Sequence, residues 1–153
     1  MLTEKQKSGR YDRIRQQLKE LLSGSPTFIS GLSTINAVLY HKIPYIFWIG
    51  FYLLDDRKLY VGPYQGPLAC QELIYPRGVC WRAINTGSTI LVPDVHKFPG
   101  HVSCDARSAS EIVVPVFSND GSIIGVLDVD SDRRDAFDLR DKEGLEAIVK
   151  LIK

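Results

Sequence analysis

The sequence lacks the features that would place it in several large classes of protein. No apolar run approaches the ~18–20 residues needed to cross a bilayer, and the polar start MLTEKQKSGR is unlike a secretory signal peptide. The formal net charge is only +1, which gives no reason to expect a nucleic acid or an anionic membrane as a partner. Repeats and long linkers are also missing. These absences predict a cytoplasmic protein.

Cysteine is scarce, and its count is odd. The three cysteines, Cys70, Cys80 and Cys104, do not suit the paired disulfide framework of a small secreted protein. No C-x2-C pair occurs, so a structural zinc site is not expected. In a reducing compartment such thiols are buried and inert, bind a metal or carry out redox chemistry. Composition alone does not choose among these fates.

The length of 153 residues predicts one domain over residues 1–153, and hydrophobic periodicity predicts an α+β fold. We expect a helix over about 3–22, a second one capped by Ser25 with Pro26 as its first residue and burying Ile29, a short one over 79–85, and a last one over about 139–152 after Asp138. Strands are expected over 45–54, 58–64, 89–92, 111–117 and 123–129. An antiparallel sheet flanked by helices is the simplest packing of this order, with a core over about 26–153.

The longest irregular stretch covers residues 93–110 and contains Cys104. A loop of this length is usually functional or disordered. His101 and Arg107 lie close to Cys104 in sequence, and either could favour its thiolate. Cys70 lies in another loop and could meet Cys104 if the two loops converge. Cys80 begins the short helix, where a lowered thiol pKa and simple packing among apolar neighbours are both open.

The central strand presents aromatic side chains on one face. Trp48, Gly50 and Tyr52 alternate, so they point the same way. Two rings beside a residue without a side chain predict a recess that could hold a thioether methyl group, because sulfur contacts aromatic rings favourably. The alternative is a core strand whose glycine allows a helix to pack closely.

Carboxylates gather at the end of the last hairpin. Asp128 and Asp130 share one face of a strand, and Glu111 begins the neighbouring strand. Clustered, partly buried carboxyls raise the pKa of at least one member, and an acid kept neutral can donate a proton. A carboxylate kept ionised can hold an ammonium group. Exposed acids at the end of a strand are the alternative.

Short blocks in a fixed order complete the pattern. They are WIGFY at 48–52, GPYQG at 62–66, AC at 69–70, GVC at 78–80, DVH at 94–96, CDA at 104–106 with Ser108, SEIV at 110–113 and GVLDVD at 125–130. From about residue 26 to 150 the chain thereby resembles the free methionine-(R)-sulfoxide reductases, which are GAF-domain enzymes. The resemblance implies a GAF-like central antiparallel sheet flanked by helices.

The resemblance also implies roles for the cysteines. Cys104 matches the nucleophile, and Cys70 matches the cysteine that resolves it by forming a disulfide. Cys80 matches a further cysteine of the catalytic site with an accessory part. Pro76 and Trp81 stand where the family usually has glycine, and the bulky Trp81 is expected to reshape the loop near Cys80.

The remaining candidates match substrate contacts in the family. Trp48 and Tyr52 match the aromatic wall around the substrate methyl group. Glu111, Asp128 and Asp130 match the acids that hold the substrate and polarise the sulfoxide, with Glu111 and Asp130 in the catalytic step.

The implied activity is reduction of free L-methionine (R)-sulfoxide to L-methionine by thiol chemistry. The Cys104 sulfenic acid would be resolved by Cys70 and recycled by thioredoxin, without a metal or bound organic cofactor. The amphipathic first helix could serve a homodimer. Two rivals are a non-catalytic GAF module that binds a small ligand and a redox-sensing interaction protein. Against a sensor, we expect no signalling helix after Lys153, and a sensor has no need for cysteines in two loops.

Overall fold

Four helices and six strands make up the computed structural model, which describes residues 1–153. The helices are α1 (Glu4–Ser23), α2 (Phe28–Lys42), α3 (Val79–Thr86) and α4 (Leu139–Val149). The strands are β1 (Trp48–Asp55), β2 (Lys58–Gln65), β3 (Glu72–Leu73), β4 (Ile90–Val92), β5 (Ser110–Phe117) and β6 (Ile123–Ser131), with a 3-10 turn at Val95–Lys97. This order confirms the predicted α+β class. No helix combines the length and the apolarity that crossing a bilayer requires.

All six strands form one antiparallel sheet in the order β3-β2-β1-β6-β5-β4. The central strand β1 pairs with β6 so that Trp48 lies opposite Asp130 and Gly50 lies opposite Asp128. On the other side of β6, Glu111 of β5 lies opposite Asp130. The predicted aromatic and acidic residues are therefore neighbours at one end of three adjacent strands.

The two faces of the sheet carry different layers. Helices α1, α2 and α4 cover one face, where Ile49, Phe51, Leu127 and Val129 join the larger hydrophobic core. Helix α3 and the long loops cover the other face, where a smaller core forms around Tyr52 and other apolar side chains. Because alternate strand residues face opposite sides, Trp48, Tyr52 and Asp128 all lie on the α3 side.

Several predicted boundaries and burials were wrong. Thr27 caps α2, since its hydroxyl accepts the Ser30 N–H at 3.1 Å, so the helix starts two residues later than Ser25 and Pro26 suggested. Ile29 falls in the first turn and is 50% exposed, and the buried stripe begins one turn later. The central strand starts at Trp48, because residues 44–47 form a turn that still buries apolar side chains. Strand β3 was missed because two residues leave no periodic pattern.

A buried ion pair attaches α1 to α4. Lys7 Nζ lies 2.6 Å from Asp141 Oδ2 and donates to the Ala136 carbonyl at 3.0 Å. The hydroxyls of Tyr11 and Tyr45 donate to the other Asp141 oxygen at 2.9 and 2.5 Å. All the lone pairs and protons of the pair have partners, which is the condition for tolerating charge inside a core. The apolar stripe of α1 predicted the burial of Tyr11 but gave no sign of the buried lysine.

Candidate active site

Two loops converge on a disulfide between Cys70 and Cys104. The Cα atoms of the pair lie 5.5 Å apart although 34 residues separate them in sequence. The loop of Cys104 is closed at its base, where Ala109 accepts the Val95 N–H at 3.0 Å and donates its own N–H to Ser131 at 2.8 Å. Cys104 is exposed and Cys70 is half-buried. The two thiols can therefore exchange electrons with a partner at the surface.

A cavity of about 50 Å³ lies behind this disulfide. Its lining combines aromatic, acidic, sulfur-bearing and basic side chains, chiefly Trp48, Tyr52, Arg77, Cys80, His101, Cys104, Ser108, Glu111, Asp128 and Asp130. The structure thus brings together Cys80, Cys104, the two aromatic residues and the three acids that the sequence singled out for the site, with Cys70 beside the cavity and bonded to Cys104. Arg107 does not line the cavity.

The aromatic wall is built from stacked rings. Trp48 stacks on Tyr52 at a centroid distance of 5.9 Å and on Tyr64 at 5.5 Å. The Trp48 indole donates to the Pro67 carbonyl at 3.0 Å, and the Tyr52 hydroxyl donates to the Cys70 carbonyl at 3.2 Å. Both rings are thereby fixed relative to the loop of the disulfide.

The sequence predicted an open recess beside Gly50, with close packing of a helix as the alternative. Neither is found, because side chains of the sheet fill this space. A methyl group on Gly50 would lie 2.5 Å from Trp48 Cη2 and 2.5 Å from Tyr64 Cβ. The indole therefore folds over the glycine, and this position is filled by the wall itself.

The three acids form a cluster in which Glu111 and Asp128 are buried and Asp130 is half-buried, so they are not an exposed strand end. Glu111 is 5% exposed and Asp128 is 7% exposed. Burial raises the pKa of Glu111, of Asp128 and of Asp130, and repulsion within the cluster raises each pKa further. Ser108 donates to Asp130 Oδ1 at 2.6 Å, while Asp128 Oδ1 is buried and accepts no hydrogen bond from the chain. This oxygen therefore belongs to a residue of the cavity lining and lacks a hydrogen-bond donor.

Cys80 is a buried member of the same cluster. Burial, followed by the neighbouring Asp128 charge, raises the pKa of its thiol, so the start of α3 does not make it a ready thiolate. The donor atoms of Cys80, Glu111 and Asp128 lie within 4.8 Å of one another. Those three donors are one fewer than a closed tetrahedral zinc site uses.

His101 and Arg107, the two basic residues near Cys104 in sequence, contact carboxylates and not the Cys104 sulfur. His101 Nε2 lies 3.2 Å from Glu111 Oε2. The Arg107 guanidinium donates to Asp105 at 2.7 Å and lies 4.9 Å from the centre of the Phe47 ring. The expectation that either would act directly on the thiolate therefore finds no support in these contacts.

Trp81 shapes the loop before α3 from the side away from the cavity. It is buried, its indole donates to the Leu73 carbonyl at 2.8 Å, and its ring meets Tyr75 edge-on at 4.9 Å. The Tyr75–Pro76 peptide bond is cis. The contacts of Trp81 thus hold the segment in front of α3, and neither Pro76 nor Trp81 lines the cavity.

Sequence reasoning missed three polar features of the cavity. They are Arg77, Ser108 and the uncapped start of α3, where Gly78 has a φ of 94° and supplies no side chain to the helix N–H groups. The sequence did contain a signal for an anion-binding position, namely Arg77-Gly78 directly before a predicted helix. Free N–H groups at the start of a helix favour anions, and a glycine cap leaves them free.

The fold is a six-stranded antiparallel sheet with α1, α2 and α4 on one face, and with α3, the long loops and the cavity on the other. Residues 46–153 match the family model of the GAF domain, so the chain is a GAF-domain protein.

Relatives narrow this class to one family. The chain is 42% identical to a free methionine-R-sulfoxide reductase of Saccharomyces cerevisiae, over 86% of this chain and 77% of the relative. It is 40% identical to one of Escherichia coli, over 91% and 84%. The solved structure of the Neisseria meningitidis enzyme in complex with its substrate superposes with a TM-score of 0.91 and 39% identity, over 95% and 87%. The chain belongs to the free methionine-R-sulfoxide reductases.

Proposed function

We propose that this protein reduces free L-methionine (R)-sulfoxide to L-methionine, with Cys104 as the nucleophile. The observation that carries the proposal is the Cys70–Cys104 disulfide at the edge of a cavity lined by Trp48, Tyr52 and buried acids. A disulfide in this place is the product expected when the sulfoxide oxygen has been removed by thiol chemistry.

Two thiols account for the atoms and electrons of the reaction. The Cys104 sulfur bonds to the sulfoxide sulfur while the sulfoxide oxygen is protonated. The oxygen then passes to the Cys104 sulfur as the substrate sulfur–oxygen bond and the new sulfur–sulfur bond break, so that methionine leaves as the thioether, reduced by two electrons, and Cys104 is oxidised to a sulfenic acid. The Cys70 thiol then attacks this sulfenic sulfur, which forms the disulfide and releases water. The Cα separation of 5.5 Å lies within the usual range for such a bond, so the folded loops accommodate the product of the second step.

The acids supply the proton that the first step requires. A sulfoxide sulfur becomes electrophilic when its oxygen is protonated or strongly hydrogen-bonded, and a buried carboxyl with a raised pKa keeps such a proton near neutral pH. Glu111 and Asp130 serve as the catalytic pair of the cluster. General acid assistance contributes about 10²–10⁴-fold in rate.

Selectivity for the free amino acid follows from the polar ends of the cavity. The unpartnered Asp128 Oδ1 accepts the substrate ammonium group, which a residue within a peptide lacks. Arg77 and the uncapped N–H groups at the start of α3 suit the substrate carboxylate. Trp48 and Tyr52 hold the methyl group against their faces.

The decisive experiment follows NADPH consumption with thioredoxin, thioredoxin reductase and free methionine (R)-sulfoxide. Turnover that disappears in Cys104→Ser, with the fold intact, supports the proposal. A binding module or redox sensor gives no turnover in either form. Equal turnover of N-acetyl methionine (R)-sulfoxide would contradict selectivity for the free amino acid.

Thioredoxin in the cytoplasm is the proposed reductant. A catalytic disulfide must be reopened by thiolate attack, and the exposure of Cys104 leaves one of its sulfurs open to such a partner. The reducing compartment also suits the third, unpaired cysteine. Replacing thioredoxin by glutathione in the same assay distinguishes the two classes of reductant.

We further propose that residues 1–153 act as one GAF unit and that two copies associate. The unit is supported by the Lys7–Asp141 ion pair, which attaches α1 to α4. The apolar stripe of α1 is buried in the core of the same chain and is not available to a second copy. A dimer interface would therefore form at the α1–α2 junction, where Leu21, Phe28 and Ile29 are exposed. Light scattering of the purified chain and of an Ile29→Glu variant tests the association.

A further inference from the structure

The loop that carries Cys104 also carries a histidine in contact with the acid cluster. His101 precedes Cys104 by three residues, and its Nε2 lies 3.2 Å from Glu111 Oε2. The two side chains are only 13% and 6% exposed. A single hydrogen bond therefore joins the segment of the nucleophile to an acid that the proposed reaction uses.

The position of the imidazole is fixed from both sides. The backbone N–H of His101 donates to the Phe98 carbonyl at 3.2 Å. The side chain of the next residue, Val102, lies beside Gly78 at the start of α3. These contacts hold the backbone of His101, which keeps its Cα within reach of Glu111, and the bond to Glu111 Oε2 then orients the ring.

The chemistry of the pair suits either protonation state of the acid. Burial lowers the pKa of His101, so its ring is neutral under ordinary conditions. A neutral imidazole donates to a carboxylate through one nitrogen or accepts from a carboxylic acid there. The other titratable groups facing Glu111 are Asp128 and Asp130 from β6, Cys80 from α3 and Tyr52 from β1, and none of these carries a nitrogen donor.

We propose that His101 is a positioning residue of the reductase, which aims the Glu111 carboxyl at the sulfoxide oxygen and keeps it in register with the Cys104 sulfur. It acts through Glu111 and not on the thiolate. This assignment rests on the proposed reduction and adds a residue to it.

Two variants separate the hydrogen bond from the packing of the ring. His101→Gln keeps an amide donor at a similar reach, whereas His101→Phe keeps the ring and removes its polar atoms. We expect kcat to fall at least about tenfold in His101→Phe, as for loss of one hydrogen bond to a charged group, and to recover to within about threefold of the parent in His101→Gln. His96→Gln is the matched control, because His96 is an exposed histidine outside the cavity.

The pH profile gives a readout that packing alone does not move. Without its donor, the Glu111 carboxylate is less favoured, so the alkaline limb of the kcat profile should move to higher pH in His101→Phe. It should stay in place in His101→Gln. Equal losses in both variants with unmoved limbs would show that the ring only fills space and would overturn the proposal.

A second measurement decides the matter without substrate. A carbon-13 titration of the Glu111 side chain in the oxidised protein should give a higher midpoint in His101→Phe than in the parent and in His101→Gln. Identical midpoints in all three would refute the contact. If the parent protein fails to turn over free methionine (R)-sulfoxide, the proposed function falls while this titration still tests the histidine.

Discussion

Reduction of the Cys70–Cys104 disulfide should weaken the fold by a predictable amount. The bond spans 34 residues, and closing a loop of this length removes about 13 cal/mol/K of chain entropy from the unfolded state. At 25 °C this corresponds to about 3.8 kcal/mol of stability. With a urea m value of about 2 kcal/mol/M, the unfolding midpoint should fall by about 2 M on reduction.

Urea titrations of the oxidised and the fully reduced protein, followed by tryptophan fluorescence, measure this difference without any mutation. Cys70→Ser should unfold near the reduced midpoint whether or not reductant is present. Cys80→Ser should keep the difference, because Cys80 is free. Equal midpoints for the two redox forms of the parent chain would refute the reasoning, since the bond would then not restrict the unfolded chain as the loop-entropy model requires.

Three further changes test the site. Asp128→Asn should lower kcat/KM at least about tenfold, as for loss of one hydrogen bond between charged groups. The variant should nevertheless unfold at higher urea at alkaline pH, because the folded-state pKa of Asp128 is raised and stability is lost as pH rises through that pKa, whereas an amide has no such loss. An unchanged pH dependence of the unfolding midpoint would contradict the buried charge. Trp81→Ala should cost about 3–5 kcal/mol of stability with KM unchanged, and a raised KM would place Trp81 in the cavity. Trp48→Ala should raise KM at least about tenfold, whereas the KM of Trp48→Phe should stay within about threefold of the parent value. Equal KM values for the two variants would exclude an aromatic wall around the substrate.

Strand alternation, hairpin pairing and helix-ending glycines act between residues close in sequence, and the features that depend on them were predicted. The strand period placed Trp48 and Tyr52 on one face and put Asp128 and Asp130 beside Glu111, because alternation and hairpin pairing fix these relations. The α3 boundary was also predicted, since Gly87 adopts a left-handed conformation that ends the helix.

The failures arose where distant residues decide the outcome. Thr27 was overlooked as a cap because Ser25-Pro26 offered an equally good local signal. The burial of Lys7 depends on Asp141, which lies 134 residues away. The contact between His101 and Glu111 likewise joins a loop to a strand, and periodicity carries no information about where an irregular segment turns.

The position of the Trp48 ring over Gly50 has a consequence for how this family can diversify. Any larger residue at position 50 would push the indole toward the bound molecule and make the cavity shallower. A smaller residue in place of Tyr64, which supports the far side of the indole, would let the ring retreat and deepen it. The size of side chain that the cavity admits is therefore adjustable from positions 50 and 64, and neither of these residues belongs to the cavity lining.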